Sequence, residues 1–178
     1  MANYCTNEIK ILDLTPDDIK KILNRYCSRV NGVLIFDFEK IIPTPKELLD
    51  EQAPFRGSDE DKQRLIAKYG FADWYEFRVW RWGVKWPMSV DSCNVEVLDD
   101  SIEISGDTAW APPINILKHF STLFPNASVE AKFAEPGMMF AGYELFKNGE
   151  VLESSDDPDG GIMREIYGDL NDEDEEEE

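Results

Sequence analysis

Histidine is nearly missing from this sequence: His119 is the only one in 178 residues. Cysteine is scarce too. Cys5, Cys27 and Cys93 stand far apart, with no Cys-x-x-Cys pair. That set cannot supply the closely spaced ligands of a zinc site. An odd, scattered trio reads as reduced thiols of a cytoplasmic protein rather than as a disulfide frame. No metal and no cofactor is therefore expected. A glycine-rich phosphate loop, a nucleophile elbow and a His-Glu-x-x-His pair are also lacking. No apolar run approaches the roughly 18 residues that span a bilayer, so no membrane partner is expected. Met1 to Lys10 has no basic segment followed by an apolar one, and it does not read as a secretory signal. Basic residues are few, 18 against 37 acidic ones, for a net charge of −19. Binding nucleic-acid phosphates requires lysines and arginines that release counterions, so direct binding to DNA or RNA is not expected.

What is present is acid and aromatic. From Glu153 onward there are 13 acidic residues against one basic residue, Arg164. Residues 156–178 read as an acidic, largely disordered tail that follows a single domain over residues 1–155. Asp156-Asp157-Pro158-Asp159-Gly160 has a superficial calcium-loop look. With Gly160 at loop position six, Ser155 takes position one and Ile166 takes position twelve, where carboxylates are required, so the match fails.

Four of the five tryptophans fall between Trp74 and Trp86, in WYEFRVWRWGVKW, and Trp110 is the fifth. Trp74, Glu76, Arg78, Trp80 and Trp82 share one parity, which predicts a strand. Its bland role is core packing. Its sharper one is a groove lined by Trp80, Trp82, Trp86 and Trp110, with Arg78, Arg81 and Lys85 beside it to pair an anionic, planar ligand.

Along the chain, Tyr4 to Leu14 reads as a strand. Thr15-Pro16-Asp17-Asp18 opens a helix with a cap, a proline in the first turn and acidic dipole partners. Its stripe of Ile19, Ile22, Leu23, Tyr26, Cys27 and Val30 extends the helix to about Arg29. Val33 to Ile42 is expected as the second strand. An insertion over residues 43–93 follows, with a helix over Asp59 to Tyr69 capped by Ser58 and the tryptophan run. Asn94 to Leu98 and Ser101 to Gly106 form a hairpin, Pro113 to Phe124 a helix and Val129 to Glu135 a strand. Asn148-Gly149 joins the last two strands. The inner order is β-α-β-β-α-β. The fold class is therefore α+β, ferredoxin-like: an antiparallel sheet with helices on one face, a helical and aromatic insertion after the second strand, and an extra C-terminal hairpin.

Four motifs carry a resemblance: Asn3-x-Cys5-x-Asn7, Trp82-Gly83-Val84-Lys85-Trp86, Asp107-Thr108-Ala109-Trp110-Ala111-Pro112-Pro113, and Glu135-Pro136-Gly137-Met138-Met139-Phe140-Ala141-Gly142. Together, over roughly Asn3 to Glu153, the chain resembles the YubB ferredoxin-like domain family encoded by bacteriophages and plasmids. The resemblance implies the same fold and a mobile-element origin, and it transfers no catalytic residue.

These readings converge on a non-enzymatic interaction protein that binds a host protein with a basic surface, such as a defence or nucleic-acid-handling protein, through an acidic, DNA-mimic-like surface. Asp156, Asp157, Asp159, Asp172, Glu173 and Asp174 are the expected partner-binding carboxylates. The alternatives are a small ligand- or nucleotide-binding domain or enzyme that uses the tryptophan groove, and a structural or virion-associated module. His119 reads as an exposed helix residue and not a catalytic base. Met138 and Met139 read as a turn followed by packing, or as an adaptable binding loop. Nothing in the order of residues brings Glu135 and Asp107 together as an acid–base pair.

Overall fold

The structure is a computed structural model and describes residues 3–157 and 159–168. β1 (Tyr4–Leu12) alternates as a half-covered strand should: Cys5, Asn7, Ile9 and Ile11 are buried, and the residues between them are not. α1 (Pro16–Tyr26) starts at a reciprocal capping box, in which Asp18 N–H donates to Thr15 Oγ1 and Thr15 N–H to Asp18 Oδ2, both at 3.2 Å.

The helix ends three residues sooner than its stripe suggests. Cys27–Val30 forms β2, which pairs with β3 (Val33–Phe36) across Asn31-Gly32. Both turn residues have positive φ, 51° and 88°, as a tight two-residue hairpin demands. The expected strand over Val33 to Ile42 is thus cut short. Asp37 accepts from Glu39 N–H and starts α2 (Phe38–Ile41). α3 (Lys46–Leu49) and α4 (Asp59–Tyr69) follow, the latter capped by Ser58 and closed by the left-handed Gly70.

The tryptophan run is also corrected. It forms a helix, α5 (Trp74–Trp82), and not a strand. Asp73 caps it by accepting from Glu76 N–H at 3.0 Å, and Gly83, at φ 90°, ends it. Trp74, Phe77, Arg78 and Trp82 also satisfy a helical spacing. Aromatic strand propensity gives way to the two caps and to the core that receives Phe77 and Trp82.

β4 (Asn94–Val97), β5 (Ile102–Ala109), β6 (Ser128–Glu135), β7 (Phe140–Lys147) and β8 (Glu150–Asp156) complete an antiparallel sheet in the order β4-β5-β1-β6-β7-β8. α6 (Ile114–Leu123) connects β5 to β6, with β1 lying between them. In the same way β5 lies between β1 and β4. These two interlocked units are the ferredoxin-like arrangement, and β4 takes the place expected for Val33 to Ile42. The hairpin β2-β3 forms a separate two-stranded sheet.

Ile19 and Ile22 of α1 and Ile116, Leu117 and Phe120 of α6 bury one sheet face together with Ile9, Ile11, Ile102, Ile104, Val129 and Phe146. Leu48, Leu65 and Phe77 form a smaller core inside the insertion. A last helix, α7 (Gly161–Tyr167), lies against the other sheet face: Glu165 meets Lys132 at 2.5 Å, and Tyr167 OH lies 2.7 Å from Thr6 Oγ1. No helix among the described residues is long and apolar enough to cross a membrane.

Candidate functional site: an acidic sheet face and an aromatic rim

Strand alternation that sends Ile9, Ile11, Ile102 and Ile104 into the core sends charged residues to the opposite face. Cross-strand register aligns Glu96, Glu103, Lys10, Glu130, Leu145 and Glu153 in one row across all six strands. In the next row Glu8 lies between Ser105 and Lys132. Lys10 Nζ bonds Glu103 Oε1 at 2.9 Å. That hydrogen bond, then the charge of Glu103, and further off those of Glu130 and Glu8, hold the Lys10 ammonium above its usual range. Burial raises the Tyr143 phenol, and Glu130 and Glu153 push it the same way. With Lys10 held by Glu103 and Lys132 by Glu165, the residues Glu8, Glu96, Glu130 and Glu153 have no ion-pair partner among the described residues. Glu8, Lys10, Asn94, Glu96, Glu103 and Ser105 line a shallow hollow of about 270 Å³ on this face. α7 covers the far end, where Thr6 Oγ1 donates to Asp107 Oδ1 at 2.7 Å.

The four sequence motifs meet at one end of the sheet, where β1 begins and β5 and β6 end. Asn7 is buried, and its amide donates to Cys5 O at 2.9 Å, Thr108 Oγ1 at 2.9 Å and Gly106 O at 3.0 Å. Glu135 is also buried, and its carboxylate accepts from Gly137 N–H at 2.9 Å and Met138 N–H at 2.5 Å, which shapes the turn before β7. Trp110 N–H donates to Asn3 O at 3.0 Å, and the Asn3 side chain packs on Gly137. Trp110 and Met139 sit at φ 71° and 54°, a left-handed backbone that such residues adopt only where neighbours impose it. Trp86, Trp110, Met138 and Met139 are exposed.

Lys85 Nζ lies 3.7 Å from the Trp110 ring centroid and 3.9 Å from that of Trp86, so the ammonium is sandwiched between two indoles. Beside it a mostly apolar pocket of about 340 Å³ is lined by Pro54, Trp74, Tyr75 and Trp86, with Asp73 and Glu76 alongside. The structure thus brings together only part of the expected groove. Lys85, Trp86 and Trp110 meet. Trp82 lies fully buried in the core instead. Arg78 is used internally: Nη2 meets Glu39 Oε1 at 2.6 Å, Nε donates to Thr44 Oγ1 at 3.1 Å, and the guanidinium stacks on Trp74 and Trp82. Trp80 and Arg81 are exposed on α5.

Of the expected partner-binding carboxylates, Asp156 is exposed at the end of β8 and Asp159 in the loop after it. Asp157 is engaged in the fold. Burial would raise its carboxyl, but the N–H groups of Met163, Ile162 and Gly161 outweigh that and hold it low. Asp172, Glu173 and Asp174 lie outside the described residues, as does the expected tail from residue 169 onward. Glu135 and Asp107 do not form an acid–base pair, because their strands direct them to opposite sheet faces. The acidic row on the sheet was not singled out from sequence, although the alternation of Glu8 and Lys10 with Ile9 and Ile11 was its signal.

A family model described as the ferredoxin-like domain in Api92-like protein matches residues 82–178. In three dimensions the chain is similar to the crystal structure of a protein api92 from Yersinia pseudotuberculosis, with a TM-score of 0.57. The alignment covers 88% of this chain and 98% of that one at 11% identity, a likeness of fold. No curated protein matches the chain. The match falls under the Api92-like description and not under the YubB label.

Proposed function

The chain belongs to the family of the ferredoxin-like domain in Api92-like protein, and from that premise we propose that this member is a non-enzymatic docking protein for a basic partner. The single observation that supports the reading is the acidic row on the open sheet face. Glu96, Glu103, Glu130 and Glu153 share it with one lysine, and Glu8 lies in the row beside it. Neighbouring strands lie about 4.8 Å apart, and residues on one face of a strand repeat about every 7 Å. Like charges at such spacing repel and add no stability to the sheet. A cationic surface would relieve that repulsion and associate fast, with strong salt dependence. The basic groove of a nucleic-acid-handling or defence protein has this chemistry. In that setting the chain would act inside a bacterial host cell as a mobile-element product that imitates a phosphate array.

Binding kinetics against a panel of purified host DNA-binding proteins test it, with duplex DNA as competitor. The expected result is binding displaced by DNA, and an on-rate that falls about tenfold when Glu8, Glu130 and Glu153 are all changed to Gln. Kinetics unmoved by the triple change would defeat the reading.

Lys85 between Trp86 and Trp110, next to the apolar pocket, favours a second reading as a small-ligand or nucleotide site. Aromatic walls and a cation suit a planar anion. Tryptophan emission during nucleotide titration reports on it, and a flat titration that is unchanged by Lys85→Gln excludes it.

A further inference from the structure

We propose that the outer edge of β8 is the attachment line for the partner, and that an extended segment bearing lysine or arginine adds there as a seventh strand. The proposal rests on the acidic docking reading and names how the partner is held.

β8 is the last strand in the sheet order, and among the described residues it pairs on one side only, with β7. All seven of its residues are exposed. Edge strands are commonly protected by lysine, by proline, by shortness or by a covering element. Glu150–Asp156 contains neither lysine nor proline and is longer than β4, the four-residue strand at the opposite edge, which packs beside β3. One protective device is present. The register shifts at Leu145/Phe146, which leaves Leu152 without a cross-strand partner and exposed. The regular free edge is therefore Glu153–Asp156.

Its polarity follows from the ladder. Asp157 N–H donates inward to Ala141 O at 3.2 Å. Alternation then turns the backbone N–H and C=O of Ser155 and Glu153 toward β7 and those of Asp156 and Ser154 outward, without a partner among the described residues. Added strands gain affinity from such main-chain groups and specificity from alternate side chains.

Charge selects the occupant. Because only Ser154 and Asp156 present outward groups, antiparallel pairing of two copies centred on Ser155 sets Glu153 against Asp157 twice, and directly opposed like charges are destabilising. A net charge of −19 adds to that repulsion. A basic strand reverses both effects and brings its charges beside Glu153, the outermost carboxylate of the acidic row.

The test uses the full chain and two peptides of about ten residues alternating lysine and valine. One has an ordinary backbone. The other is N-methylated at every peptide nitrogen, so it keeps its charge but loses its backbone donors. Affinity and amide exchange are measured at low salt. The expected result is tighter binding of the ordinary peptide by about tenfold, with new protection at Ser154 and Asp156. Ser154→Pro, whose lost N–H points outward, should abolish that preference. Equal binding of both peptides, or no protection along β8, overturns the edge proposal and leaves the acidic docking reading standing. Failure of both peptides to bind defeats the docking reading and the edge proposal with it. Dimerisation of the free chain with protection along β8 replaces the basic partner by a second copy. The exchange map on the unmodified chain decides the matter even if Ser154→Pro does not fold.

Discussion

The indole N–H of Trp82 donates to the carbonyl oxygen of Ile42 at 2.9 Å, and the ring packs edge-on against Phe38 at 5.7 Å. This contact ties α5 to the end of α2 and thus joins the insertion to the main core. Trp82→Ala should destabilise the protein by about 3–5 kcal/mol. Trp82→Phe keeps much of the packing but leaves Ile42 without its donor, for a loss of about 1–2 kcal/mol. Urea titration of both variants checks the order.

Asn7 carries the polar centre of the motif end. Asn7→Ala removes the donor to Cys5 O, Gly106 O and Thr108 Oγ1 in a buried place, and should cost about 1–3 kcal/mol. Asn7→Asp should be worse, because it takes away the donor hydrogens and buries a charge. Melting temperatures that rank Asp below Ala below wild type are expected.

Arg78 sits between Glu39, Thr44 and two indoles, with little of its side chain exposed. Arg78→Ala should cost about 2–3 kcal/mol, less than for a fully buried pair because Glu39 keeps some contact with water. Arg78→Lys should recover only part of this, since an ammonium cannot stack on both rings and reach two acceptors at once. Chemical denaturation of the two variants measures the split.

Burial pushes the Cys5 thiol up to about 12, helped by the charges of Glu135 and Asp107, and pushes Cys27 to about 11. Burial also raises Cys93. A folded-state value above the unfolded one means that the native protein retains its protons while the unfolded chain loses them. Stability from these groups is whole below about pH 8.5, the unfolded thiol value, and falls as pH rises from there toward 11 and 12. Cys5→Ala should flatten that alkaline decline, as measured by denaturation between pH 8 and pH 10. At pH 8 a thiol reagent should label none of the three until the protein is unfolded.

Much of the fold was legible in local chemistry. Thr15-Pro16-Asp17-Asp18 specifies a helix start by itself, as do Ser58 and Gly70 for the two ends of α4 and Asn148-Gly149 for the β7-β8 turn. Each acts through side-chain and backbone geometry within a few residues. The stripe of Ile116, Leu117 and Phe120 announced α6 in the same way.

The tryptophan run satisfied two periods at once. Every second residue suited a strand, and Trp74, Phe77, Arg78 and Trp82 suited a helix. Asp73 and Gly83 supplied the caps, and the core that receives Phe77 and Trp82 decided the outcome. The same limit separates Val33–Phe36 from Asn94–Val97. Either could be the second strand, and pairing with β5 across the short turn at residues 98–101 selects the latter.

Composition alone determined that the protein is strongly acidic and poor in histidine and cysteine, and the order of its periodic segments pointed to an α+β fold. The tertiary structure decided which carboxylates stand together, because the Glu96–Glu103 hairpin, Glu130 and Glu153 are well separated in the chain and become neighbours only through sheet register. It also decided which tryptophans face solvent, since Trp82 and Trp86 belong to one motif and one is wholly buried while the other is exposed. Short-range order follows from the backbone and its caps. A surface exists only once distant segments have chosen which faces to bury.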